Sequence, residues 1–163
     1  MADPEIPIPT DLGITVERVH AAVTYPLRQR VLRPGQTVRA ARFAIDDDPA
    51  TASFAARTSD GEVVGTAVVY PEPCPWLADR PRAWRLRGMA TVPERRSQGI
   101  GALVLQAALD HVRDAGGGLV WCNARVPAQG FYEGAGFRAH GSPWDDPEIG
   151  PHIAMWLEVG SPS

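Results

Sequence analysis

The spacing of apolar positions is clearest between residues 86 and 112. Residues 86–92 (LRGMATV) are mostly apolar or small and end on β-branched Thr91 and Val92; Pro93 stops the run because it cannot donate to a sheet ladder, so a strand is predicted. Ile100, Leu103, Val104, Ala107, Ala108 and Val112 then follow the i, i+3, i+4, i+7, i+8, i+12 spacing of a helix with one apolar face, ending before Gly116-Gly117-Gly118. Between them runs Glu94-Arg95-Arg96-Ser97-Gln98-Gly99-Ile100-Gly101, a turn whose glycines fall at the helix N-terminus.

The remaining elements can be arranged around this unit. Residues 14–19 alternate as a first strand, and residues 23–32 read as a helix offering Tyr25, Leu27 and Val31 to a core. Residues 36–48 carry no decisive pattern; Asp46-Asp47-Asp48-Pro49 reads as a solvated turn, with a cation-attracting rim as the alternative. Residues 53–58 and 63–70 flank Ser59-Asp60-Gly61-Glu62, and an Asp-Gly pair between two such runs signals a β-hairpin. Residues 71–85 (PEPCPWLADRPRAWR) read as an irregular insertion loop that packs over a pocket or makes an oligomer contact. Past the helix, residues 119–122 form an apolar strand, Pro127 suits a first helical position and Gly136 a helix stop. A sixth strand is predicted over 138–141, a loop over 142–152 and a last strand over 153–159. Residues 1–13 are expected to be a flexible arm and residues 14–160 one domain without repeats.

Composition narrows the partners. With 163 residues one core is expected, and a net charge of −3 favours neither nucleic acid nor an anionic membrane. All 16 basic residues are arginine, so no lysine of the chain can be self-acetylated. Cys74 and Cys122 show no C-x-x-C or metal spacing, which suits a reducing cytoplasm and no disulfide scaffold. The first 13 residues have no basic start or signal-length apolar run, and no segment has the ~20 apolar residues of a membrane span. His20 and His140 have no companions at metal spacing, and no metal is inferred; His111, near the apolar face and C-terminal end of the main helix, reads as structural.

The glycine turn carries the first candidate chemistry. Helix N-terminal N–H groups lack internal partners and sit at the positive end of the dipole, so a glycine turn flanked by Arg95 and Arg96 suits a phosphate or pyrophosphate. A tight strand-to-helix connection with no ligand is the alternative. The chain has no G-x-G-x-x-G at this position, no G-x-x-x-x-G-K-[ST] and no G-x-S-x-G, which leaves dinucleotide folds, P-loops and serine hydrolases without support.

Arg96-Ser97-Gln98-Gly99-Ile100-Gly101 resembles the [RQ]-x-x-G-x-[GA] motif of the GNAT superfamily of N-acetyltransferases. Ala128-Gln129-Gly130-Phe131-Tyr132-Glu133-Gly134-Ala135-Gly136-Phe137 resembles that family's A-x-x-[FL]-Y-x-x-x-G-F signature. The resemblance implies an α/β, single-domain GNAT-like fold with a mixed, mostly antiparallel central sheet flanked by helices, and acetyl-CoA as cosubstrate. By position it implies that Arg96, Ser97, Gln98, Gly99, Ile100, Gly101 and Ala102 bind the CoA pyrophosphate. It further implies that Met89, Ala90 and Thr91 lie along pantetheine, with a backbone N–H near Met89 or Ala90 as oxyanion donor, and that Tyr132 protonates the leaving thiolate. Where the family often has Asn, this chain has Arg125.

The segment Glu148-Ile149-Gly150-Pro151-His152 resembles an E-x-G-x-P-H stretch of one GNAT branch. It makes Glu148 a candidate catalytic base and His152 a candidate acceptor-binding residue, against an exposed glutamate and a packed histidine. The implied activity is acetyl transfer by direct attack to a small-molecule or peptide amine, with a catalytically silent acyl-CoA sensor or interaction module as the alternative. The edge strands, Trp76 and Trp84 leave a homodimer open.

Overall fold

The computed structural model describes residues 13–162. The arm expected over 1–13 lies, except for Gly13, outside the described residues. Seven strands hydrogen-bond in the order β1-β2-β3-β4-β5-β7-β6: Thr15–Val19, Ala52–Arg57, Val63–Pro71, Ala83–Thr91, Gly118–Arg125, Arg138–Asp146 and Gly150–Val159 for β1 to β7. The helices are α1 (Tyr25–Leu32), α2 (Ile100–Asp114) and α3 (Gln129–Gly134). The α/β class and the mixed sheet are as expected. The chain divides into two compact units: the described residues up to Val68 with Gly88–Ala108, and Val69–Arg87 with the residues from Leu109 onward.

In the first unit β1 pairs antiparallel with β2, from Thr15 opposite Arg57 to Val19 opposite Ser53. The hairpin turn forms where the Asp-Gly pair predicts it: Thr58 N–H donates to the Glu62 carbonyl at 2.9 Å and Gly61 adopts φ +91°. A 3-10 turn, Ala21–Thr24, is capped by His20, whose Nδ1 accepts the Ala22 N–H at 3.1 Å. It feeds α1, in which Pro26 occupies the first turn and Leu27 and Arg28 are buried. The stretch without a decisive pattern becomes two further 3-10 turns, Val38–Ala41 and Ala44–Asp47. Here one expectation fails. Asp46 is not solvated: its side chain is fully enclosed against Arg28, whereas Asp47 and Asp48 are exposed.

Close packing of α2 depends on Gly65 in β3, where a Cβ would stand only 2.6 Å from Ile100 Cγ2. The buried helix face is Ile100, Val104, Leu105, Ala108, Leu109 and Val112, rotated slightly from the predicted one, since Leu103 and Ala107 are only half-buried. The helix closes on Gly117, whose N–H donates to the Val112 carbonyl at 2.9 Å.

In the second unit β5 pairs parallel with β4 through Ala83–Arg85 opposite Leu119–Trp121, and antiparallel with β7 from Gly118 opposite Val159 to Arg125 opposite His152. The expected loop over 71–85 is shorter than the sequence suggests: β3 runs through Pro71, β4 begins at Ala83, and Cys74 bridges to Leu77 between them. Trp76 meets Trp121 edge-on at 5.9 Å and stacks on His140 at 4.6 Å, and Trp84, in β4, meets His111 at 5.6 Å, so both tryptophans of residues 71–85 pack within the chain. The loop expected over 142–152 is mostly strand. β6 runs to Asp146 and pairs with β7, with a register shift between His140 and Trp144 that absorbs Gly141, Ser142 and Pro143. Nearly all of β6 is exposed, so it shows no buried alternation by which sequence pattern identifies a strand. No helix among the described residues is long and apolar enough to cross a membrane.

Candidate active site

In the first unit the glycine turn has the geometry an anion needs. Ser97 adopts φ +69° and Gly99 φ +85°. A non-glycine residue in the left-handed region costs about 1–2 kcal/mol and tends to mark functional sites. A Cβ on Gly99 would meet nothing within 4 Å, so conformation rather than crowding calls for glycine there. The first intrahelical bond of α2 runs from Leu103 N–H to the Gly99 carbonyl at 3.2 Å, which leaves the N–H groups of Ile100, Gly101 and Ala102 without an intrahelical acceptor.

The charge around the turn agrees with this geometry. The first turn of α2 holds no acidic residue. Residues 96–99 are exposed, and Glu94, just before them, pairs with Arg30; its own backbone N–H first, and then Arg30, hold its carboxyl below the usual range. The donor set and the open space over Gly99 fit a pyrophosphate. The turn follows directly from β4, in which Met89 and Thr91 are half-buried and Ala90 is buried.

In the second unit Tyr132 sits in α3 with its ring 5.1 Å from Phe131 and 5.4 Å from Phe137. Burial pushes its phenol well above the usual range, and the Cys122 thiol adds to this, so the hydroxyl stays protonated at any physiological pH. Directly paired residues of an antiparallel ladder share a sheet face. Arg125, His152 and Trp144 are opposite one another across β5, β7 and β6 and therefore form a row on one face, while Cys122, beside Tyr132, points to the other. His152 is buried and its Nδ1 lies 2.8 Å from the Gly150 carbonyl. A carbonyl only accepts, so this bond needs a proton on Nδ1. Glu148 lies four residues earlier in the exposed turn between β6 and β7, where its N–H and that of Ile149 donate to Asp146 Oδ1 at 2.9 and 3.2 Å. The glutamate is thus exposed and the histidine packed.

Residues 22–137 match the model of the acetyltransferase (GNAT) family. The chain belongs to that family. A curated relative from Bacillus subtilis (strain 168), the uncharacterized N-acetyltransferase YitI, is 35% identical over 144 residues, covering 88% of this chain and 95% of the relative. Among solved structures, a putative N-acetyltransferase from Lactobacillus plantarum matches with a TM-score of 0.72 at 22% identity, over 90% of this chain and 99% of its own. An aminoglycoside 6'-N-acetyltransferase complexed with coenzyme A matches with a TM-score of 0.69 at 14% identity, over 91% and 99%. These two likenesses establish the GNAT fold.

Sequence pattern missed one feature near the glycine turn. Arg28, 1% exposed, and Asp46 form a buried ion pair with Nη1 to Oδ2 at 2.9 Å, and β4 packs beside it at Gly88. A lone arginine in a helix and an aspartate in an acidic triplet give no sign of pairing 18 residues apart.

Proposed function

We propose that this GNAT protein is an acyl-CoA-dependent N-acyltransferase that takes acetyl-CoA as donor and passes its acetyl group to an amine by direct attack. The observation that carries the reading is the turn at Arg96–Ala102: two left-handed residues, no acid, and three helix-terminal N–H groups open to an anion. When bound, acetyl-CoA supplies an activated acyl group as a thioester. Arg96, Ser97, Gln98, Gly99, Ile100, Gly101 and Ala102 hold its pyrophosphate, and Met89, Ala90 and Thr91 line its pantetheine arm.

Tyr132, kept neutral by burial, gives a proton to the departing thiolate. On the amine side, an aliphatic acceptor with a pKa of about 10 arrives protonated and has to lose that proton. The exposed Glu148 carboxylate is the group that takes it, and His152 helps to hold the acceptor. The acceptor class is a small-molecule or peptide amine. Proteins sharing this fold are named for an aminoglycoside, for spermidine and for a ribosomal protein, at 13–18% identity.

The test is thermal unfolding with and without acetyl-CoA, for the natural chain and for Gly101→Glu, which sets a carboxylate against the phosphates. Ligand at 100 times its dissociation constant adds about 2.7 kcal/mol, or roughly 5–10 °C for a chain of this size. A shift that vanishes in the variant supports the reading, and no shift in a folded natural chain refutes it. Tyr132→Phe is then expected to retain the shift while losing thiol release across an amine panel.

A further inference from the structure

Helix α1 sends two arginines toward the strand and turn that the proposed function uses. Arg30 pairs with Glu94 on the surface, where such pairs contribute little. Arg28 turns inward. Its Nη1 donates to Asp46 Oδ2 at 2.9 Å and to the Ala41 carbonyl at 3.3 Å, and Nη2 reaches Asp46 Oδ1 at 3.4 Å. Asp46 Oδ2 also accepts the Phe43 N–H at 2.8 Å, and the guanidinium lies 4.4 Å from the Phe43 ring centre and 5.5 Å from that of Tyr25. Arg28 Nε is buried with no hydrogen-bond partner. As a device for stability alone this is poor: desolvation offsets most of the attraction in a buried pair, apolar residues of equal volume do as well or better, and an unmade bond adds to the cost.

What Arg28 touches supplies a reason for it. Gly88, inside β4, adopts φ +64°, a conformation other residues avoid in a strand. A Cβ there would stand 3.1 Å from Arg28 Nε and 3.2 Å from Val68 Cγ1. The Gly88 carbonyl accepts the Thr66 hydroxyl at 2.8 Å. The kink is thus held by Thr66 and backed by Val68 and the guanidinium, and Met89, Ala90 and Thr91 continue from it.

We propose that Arg28, locked by Asp46, is a positioning residue: it backs the Gly88 kink and so sets the backbone path of residues 89–91, along which the pantetheine arm of an acyl-CoA is read. This rests on the proposed function, and it separates the two ends of the ligand. The pyrophosphate is held by residues 96–102, which Arg28 does not touch, whereas the arm depends on the kink.

The experiment is calorimetric titration with CoA and with 3′-phosphoadenosine 5′-diphosphate, which lacks the pantetheine arm. Arg28→Met combined with Asp46→Leu removes both charges at similar volume, and Gly88→Ala disturbs the same contact from the strand. Each variant, shown folded by a cooperative thermal transition, is expected to hold the fragment within about twofold of the natural chain and to lose about tenfold of CoA's advantage over the fragment, which is about 1.4 kcal/mol. If the double variant does not fold, Arg28→Lys, which keeps the charge opposite Asp46 but withdraws the planar guanidinium from Gly88, decides in its place. Variants that retain the full advantage, or that weaken both ligands equally, overturn the positioning role. A natural chain that binds both ligands alike overturns the reading of residues 89–91, and one that binds neither overturns the proposed function itself.

Discussion

Replacing Gly65 with alanine tests whether β3 fixes the start of α2. The added methyl would lie 2.6 Å from Ile100 Cγ2, 3.4 Å from Ala56 Cβ and 3.6 Å from Val104 Cγ1. All three neighbours are at most 1% exposed, so none can swing into solvent. Carbon atoms prefer roughly 3.5–4.0 Å, so the first turn of the helix has to retreat by about 1 Å. Ile100 is β-branched at the contact atom and has little rotamer freedom with which to yield. Overpacking of this kind costs about 1–3 kcal/mol, and the lower chain entropy of alanine returns roughly 0.5 kcal/mol of it.

The melting temperature is therefore expected to fall by about 1–10 °C. Urea denaturation of Gly65→Ala, Ile100→Ala, the double variant and the natural chain separates this clash from a general defect. Ile100→Ala alone should cost about 2–5 kcal/mol through the cavity it leaves. In the Gly65→Ala background that cavity admits the new methyl, so the two changes should combine to roughly 1–2 kcal/mol less than their sum. Costs that add to within about 0.5 kcal/mol would refute the argument.

Two further outcomes follow from single residues. Gly99→Ala meets no atom but must hold φ +85°, so it should lose about 1 kcal/mol of stability, Gly99→Asn should lose less, and acetyl-CoA affinity should drop in both; unchanged stability in the alanine variant would mean that the left-handed turn does not persist. The Cys122 thiol is pushed up by burial from 9.0 to about 12, so between those values the unfolded chain gives up a proton that the folded chain keeps. Stability should fall with rising pH in that window by about 1.4 kcal/mol per unit from this group, and urea titrations from pH 8 to 10.5 should show a shallower fall for Cys122→Ala. An identical slope in the two proteins would count against the burial of that thiol.

The turn at 96–101 and the Tyr132 segment were legible because each is a contiguous run whose spacing carries its own geometry: glycines where φ is positive, an apolar period of 3.6, and Gly136 at φ +101° after α3. Most of β6 reads as loop in the sequence because an exposed strand has no buried face to betray it. The start of β4 was missed because Ala83, Trp84 and Arg85 become a strand through the partners they find in Leu119, Val120 and Trp121. Asp46 departs from its local pattern for the same reason. An aspartate in DDDP is solvated on local grounds, and only the arrival of Arg28 reverses that.

The sequence by itself therefore determined the GNAT family, the α/β class and the candidate cofactor turn, all of which depend on neighbours within a few positions. The tertiary structure alone decided which charges are buried, that Gly88 kinks against Arg28, and that Arg125, His152 and Trp144 form one row while Cys122, beside Tyr132, points to the other face. These depend on strand register and on contacts between distant segments, where one residue's free energy is set by what packs over it and not by what precedes it in the chain.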